Sequence, residues 1–96
     1  MIKQKVLDNI IFEWNEEKNN NILKERWVCF EDIVLAFWEN KILNIVKNPS
    51  SNFENQFCLI VEISNYIYLV PFIKTEEKFL LKTIFPSRKY NKIYLK

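Results

Sequence analysis

The chain has no glycine and no histidine, and only two cysteines, three prolines and one methionine among its 96 residues. Each shortage excludes something. Without glycine, tight turns must reach positive φ on Asn, Asp or Ser. Without histidine, any general base must be a carboxylate, lysine, tyrosine or cysteine. Two cysteines and no histidine do not complete a common zinc site, so neither metal nor cofactor is expected. Cys29 and Cys58 both lie among apolar residues, which predicts reduced, largely buried thiols. No apolar run approaches a membrane span. The opening residues, Met1-Ile2-Lys3-Gln4-Lys5-Val6-Leu7-Asp8, lack the apolar core of a signal peptide, so a cytoplasmic protein without a membrane partner is expected.

What is present is a core-forming composition. Hydrophobic residues make up 49% and aromatics 16%, enough for one packed domain over residues 1–96 and too short a chain for two. The net charge of +2 is unevenly placed: residues 1–40 carry −3 and residues 41–96 carry +5. From Lys82 onward there are five cations and no acid. That composition suits a phosphate-rich or strongly acidic partner, against the plainer reading of a solvated, dipole-compensating last helix.

Periodicity orders the elements. Ile10–Trp14 is predicted as the first strand. Asn15 is placed to cap a helix over Glu16–Lys24, with Glu16 and Glu17 in its first turn. Phe30, Ile33, Val34 and Phe37 have the spacing of an amphipathic helix that follows Cys29 and ends near Asn40. Lys41–Val46 reads as a strand, residues 48–52 as a loop, Gln56–Ile63 as a strong strand and Ser64-Asn65 as a hairpin turn. Tyr66–Ile73 returns, with Pro71 marking an irregularity or free edge. Phe79–Phe85 is expected as one strand, with Phe79, Leu81, Thr83 and Phe85 on one face, Leu80, Lys82 and Ile84 on the other, and Pro86 ending the pairing. Ser87 then caps a short basic helix carrying Arg88, Lys89, Tyr90 and Lys92. The expected fold class is α+β: an antiparallel sheet with two N-terminal helices on one face and a short basic C-terminal helix. Trp14, Trp27 and Trp38 are expected to pack, and Tyr66, Tyr68 and Phe72 to lie in the core or against a protein partner.

Three stretches in register resemble one family. Phe12-Glu13-Trp14-Asn15-Glu16-Glu17-Lys18-Asn19 is similar to the opening of BrnT-type toxins, which start Phe-x-Trp-Asp-x-x-Lys, Cys29-Phe30-Glu31-Asp32 to their Ser-Phe-Glu-Glu/Asp step, and Ile84-Phe85-Pro86-Ser87-Arg88-Lys89 to their Ile-Ser-Ala-Arg-Lys close. Tyr66-Ile67-Tyr68-Leu69-Val70-Pro71-Phe72 and the Pro-Ser-Arg-Lys close resemble one subfamily. The resemblance implies a RelE-like fold. It also implies a type II toxin that cleaves RNA and blocks translation, and a cognate antitoxin encoded alongside, often of ribbon–helix–helix type. The family's Lys-His-Gly between the helices is here Lys24-Glu25-Arg26-Trp27, and its alanine before Arg-Lys is Ser87.

Metal-free RNA cleavage uses the 2′-OH as nucleophile and needs a base, cations for the phosphorus-centred charge and an acid for the leaving oxygen. Arg88 is the first candidate, because guanidinium is permanently charged and bidentate toward phosphate. Lys89 and Lys82 are candidates for a second charge, and Lys24, Arg26, Tyr90 and Lys92 for RNA binding. The base is left open between a lysine of depressed pKa and a carboxylate such as Glu13 or Glu25. Against these stand plain readings: Glu13 as the solvent side of a strand, Lys82 as an edge-guarding lysine. The competing function is a partner- or nucleic-acid-binding module of the same fold that does not cut.

Overall fold

The structure is a computed structural model, and it describes residues 1–48 and 55–95. The expected loop over 48–52 lies, beyond Asn48, outside the described residues. In chain order the elements are β1 (Ile2–Leu7), β2 (Ile10–Asn15), α1 (Glu16–Arg26), α2 (Phe30–Trp38), β3 (Ile42–Lys47), β4 (Gln56–Ile63), β5 (Tyr66–Lys74), β6 (Lys78–Leu81), β7 (Phe85–Pro86) and α3 (Arg88–Tyr94). The sheet runs β1-β2-β6-β5-β4-β3, with β7 also paired to β5.

Three expectations for the sheet need correction. The sheet is mixed rather than purely antiparallel, because β2 and β6 pair in parallel; the helices and three strands between them supply the long crossover that parallel pairing requires. A strand not anticipated, β1, forms an antiparallel edge on β2. It was hidden because its side chains are almost all exposed, leaving no buried face to pattern. The last strand is broken in two. After Leu81 the chain leaves the sheet for three residues and returns at Phe85–Pro86. The break shifts the alternation by one, so Ile84, fully buried, joins the same core as Phe79 and Leu81 instead of facing away from it. Pro86 does not stop the pairing: it pairs with Tyr68.

Pro71 fits this break. β5 is a central strand, and the Pro71 carbonyl accepts from Lys82 N–H at 2.9 Å on the β6 side. A strand residue's N and C=O point the same way, so the N–H that proline lacks would have faced the gap between β6 and β7. No ladder bond is lost there.

The turns obey the glycine shortage. Asp8-Asn9 and Ser64-Asn65 close two-residue hairpins with positive φ at both positions, the geometry that matches strand twist. Asn15 caps α1 by accepting from Lys18 N–H at 2.9 Å. α1 runs two residues beyond expectation, to Arg26. Cys29 precedes α2, and its N–H donates to Asp32 Oδ2 at 3.0 Å, so the reciprocal half of a capping box forms on a thiol-bearing residue.

The main core joins Ile22 of α1 and Phe30, Ile33 and Ala36 of α2 to Phe12, Trp14, Leu59, Val61, Val70, Phe72, Phe79, Leu81 and Ile84. Phe72 and Phe79 stack at 4.6 Å, and Phe12 meets Phe79 edge-on at 5.5 Å. Cys58, Ile60 and Ile67, alternate residues on the opposite side of β4 and β5, are also buried. Two of the tryptophans expected to pack do not: Trp14 is fully buried, but Trp27 is 87% and Trp38 65% exposed. Among the described residues no helix is long and apolar enough to cross a membrane.

Candidate functional site

The closing motif is built on β5. Ser87 N–H donates to the Ile67 carbonyl at 3.0 Å, and Ile67 N–H donates to Asn91 Oδ1 at 3.1 Å. One residue of β5 is thus held by both ends of the first turn of α3. Ser87 Oγ, in turn, accepts from Tyr90 N–H at 3.2 Å, as the cap reading anticipated. Arg88 and Lys89 follow directly, both exposed. Among the described residues no hydrogen bond or ion pair engages the Arg88 side chain. Lys89 Nζ lies 5.4 Å from the Tyr90 ring centroid, and the Tyr90 and Tyr94 rings are 6.2 Å apart. Lys92 is exposed on the same helix.

A second set of candidates sits where α1 meets the break between β6 and β7. Arg26 Nη1 donates to the Ile84 carbonyl at 2.8 Å, a tie spanning 58 residues. The same arginine lines a groove of about 550 Å³ with Asn15, Glu17, Lys18, Asn21, Glu25 and Thr83. Lys82 and Lys18 line an adjoining depression of about 340 Å³. Lys18, Asn21 and Thr83 were not among the sequence candidates; the signal for Lys18 was its place in the opening motif. Lys24 is exposed on α1 and lines neither groove. The structure therefore brings Arg26 together with Thr83 and Glu25, and Lys82 with Lys18. Arg88, Lys89, Tyr90 and Lys92 form their own exposed group on α3.

The candidate bases differ. Glu13 is ion-paired to Lys78 at 3.0 Å and hydrogen-bonded by Gln4. These contacts, the Lys78 bond foremost, hold its carboxyl below the ordinary value of 4.5, which makes it a poor proton acceptor. Glu25 is exposed beside Arg26 in the larger groove. Burial pushes the Cys29 thiol up to about 11 and raises Cys58 as well, so neither offers a thiolate near neutrality. Both are free thiols, but Cys29 is only half-buried, not largely buried as expected, because it ends the turn between the helices. Among the described residues no three His, Cys, Asp or Glu side chains are grouped to hold a metal ion.

The opening motif plays a different part. Trp14 Nε1 donates to Glu16 Oε2 at 3.0 Å. Asn19, 3% exposed, donates to Glu31 Oε1 at 2.7 Å and accepts from Phe30 N–H at 2.7 Å. Burial alone would raise Glu31; the bond from Asn19 and its other donors outweigh it and hold the carboxyl below 4.5. These residues lock α1 to the start of α2.

No protein-family model, curated protein or solved structure matches this chain.

Proposed function

We propose that this protein is the toxin of a type II toxin–antitoxin system, a metal-independent endoribonuclease of BrnT-like, RelE-like fold that inhibits translation in the cytoplasm. In this reading the two consecutive helices cover one face of the sheet, and a cognate antitoxin, of ribbon–helix–helix type, covers the basic half. The observation that carries the proposal is Arg88. It is exposed and unpaired among the described residues, yet it follows a segment pinned to β5 through Ser87 and Asn91. An unpaired guanidinium on a fixed backbone suits recognition of a phosphate whose charge grows in the transition state. Lys89 and Lys82 supply further charge, while Lys24, Arg26, Tyr90 and Lys92 take the flanking RNA.

A second reading, a binding module that does not cut, is favoured by the base. Glu13 is engaged by Lys78 and the thiols are raised, which leaves Glu25, of the two carboxylates read as candidate bases, beside a cationic group. The separating experiment is induced expression of wild type and Arg88→Ala at matched soluble levels, with cellular RNA followed directly. Growth arrest with RNA degradation, both lost in the variant, supports the nuclease. RNA left intact by wild type supports the binding module. A fully toxic Arg88→Ala overturns the Arg88 assignment.

A further inference from the structure

Trp27 occupies a position the fold neither needs nor rewards. The described chain has six residues at positive φ. Five are Asp, Asn or Ser, whose short polar side chains tolerate that region. The sixth is Trp27, at φ 62 and ψ 22, closing α1 where glycine is the usual residue. A bulky side chain there is an outlier. Packing could offset its cost, but Trp27 is 87% exposed, the most exposed aromatic among the described residues. Its backbone N–H bonds the Leu23 carbonyl at 3.0 Å, which any residue but proline could do. Backbone strain combined with an exposed indole is a reason to look for a ligand.

The surroundings narrow the choice. Lys24 and Arg26 share the last turn of α1, with Glu25 the one acid between them. Arg26 is bonded to the Ile84 carbonyl, and Arg88 lies four residues further along the chain. Covalent geometry keeps the Cα atoms of Ile84 and Arg88 within roughly 14 Å of each other. The Arg26 tie sets the last turn of α1, and Trp27 after it, against the break between β6 and β7 that begins at Lys82. A single-stranded nucleic acid presents flat rings and phosphates in series, the combination an exposed indole and separate surface cations suit.

We propose that Trp27 is a stacking platform for an unpaired nucleobase of an RNA strand whose phosphates lie along Arg88. This rests on the reading of RNA as substrate, but it assigns Trp27 to binding and not to the chemistry. Stacking tolerates any base, so the contribution is to affinity and carries little sequence preference.

The test uses the full chain with fluorescein-labelled oligo(A) and oligo(U) in which every 2′-OH is methylated, so that cleavage is blocked. Affinity by anisotropy and melting temperature are measured for wild type, Trp27→Gly, Trp27→Phe and Arg88→Ala. Trp27→Gly is expected to melt no lower than wild type, since glycine suits the left-handed position. Its affinity should fall roughly 5- to 150-fold for both oligonucleotides, and Trp27→Phe should keep most of the wild-type affinity. A melting temperature lowered by several degrees in Trp27→Gly, or an unchanged affinity, overturns the assignment. If Arg88→Ala weakens binding and Trp27→Gly does not, stacking fails and the Arg88 reading stands; the reverse result keeps stacking and removes Arg88. No binding by wild type ends both. If Trp27→Gly binds RNA normally but no longer holds the protein encoded alongside, Trp27 belongs to a protein interface and the stacking assignment is overturned.

Discussion

Phe12–Asn19 and Ile84–Lys89 both carry the family resemblance, but folding uses them differently. In the first stretch folding consumes the side chains other than the exposed Glu17 and Lys18. Phe12 and Trp14 are buried, Asn15 caps α1, and Asn19 bridges Phe30 and Glu31. In the second, folding uses Ile84 in the core and Ser87 as cap and anchor, then leaves Arg88 and Lys89 exposed. The first motif thus has a sufficient explanation in stability for every residue but Glu17 and Lys18. The second is half explained, and the unexplained half is its cations. A motif match is a claim about function only for residues the fold does not already require.

The comparison breaks most sharply on two substitutions. Arg88→Ala is expected to lower RNA cleavage roughly 10²–10³-fold while the melting temperature stays at its wild-type value, with Arg88→Lys intermediate because charge survives and the fork does not. Asn19→Ala should do the opposite. It strands Phe30 N–H and the Glu31 carboxylate, costing roughly 3 kcal/mol, a fall in melting temperature of about 12–24 °C for a chain of this size. The remaining folded fraction should cleave normally. Equal effects of both variants on stability would erase the distinction between the regions.

Smaller changes sharpen it. Ser87→Ala removes the α3 cap but keeps the backbone bond to Ile67, so about 1 kcal/mol of stability should be lost. Activity should fall modestly, because the helix that presents Arg88 is loosened. Glu31 gives the smallest and most diagnostic signal. Its folded pKa is lowered, so its contribution is present above the ordinary 4.5 and is lost as pH falls through the folded value. Melting curves taken from about pH 7 to about pH 3 should therefore fall more steeply for wild type than for Glu31→Gln in the acid range. Parallel curves would mean that the Asn19–Glu31 bond contributes nothing to stability.

The order of elements from β2 to β5, both caps at Asn15 and Ser87, and the Ser64-Asn65 turn were legible because each depends on local chemistry. Edge strand β1 was not, since Lys3, Gln4 and Lys5 bury nothing that would set a period. The parallel pairing of β2 with β6 and the break at residues 82–84 depend on contacts distant in sequence, including Arg26 on Ile84. For the candidate site, the α3 cations could be read directly, whereas Lys18 and Thr83 acquire a setting only when α1 meets the break. Trp27 was misread as packing because tryptophan is ordinarily a core residue, and nothing local announces that α1 ends on it in a left-handed conformation.

The double hold on Ile67 has a consequence for measurement. Its amide proton is protected by a side chain of α3, Asn91, and not by a neighbouring strand. The flanking amides of β5 exchange with solvent when the sheet opens, but this one exchanges as soon as α3 lifts away. Hydrogen exchange at that single position therefore reports the undocking of the helix that carries Arg88, separately from global unfolding. Any ligand that engages Arg88 on the docked helix should slow it.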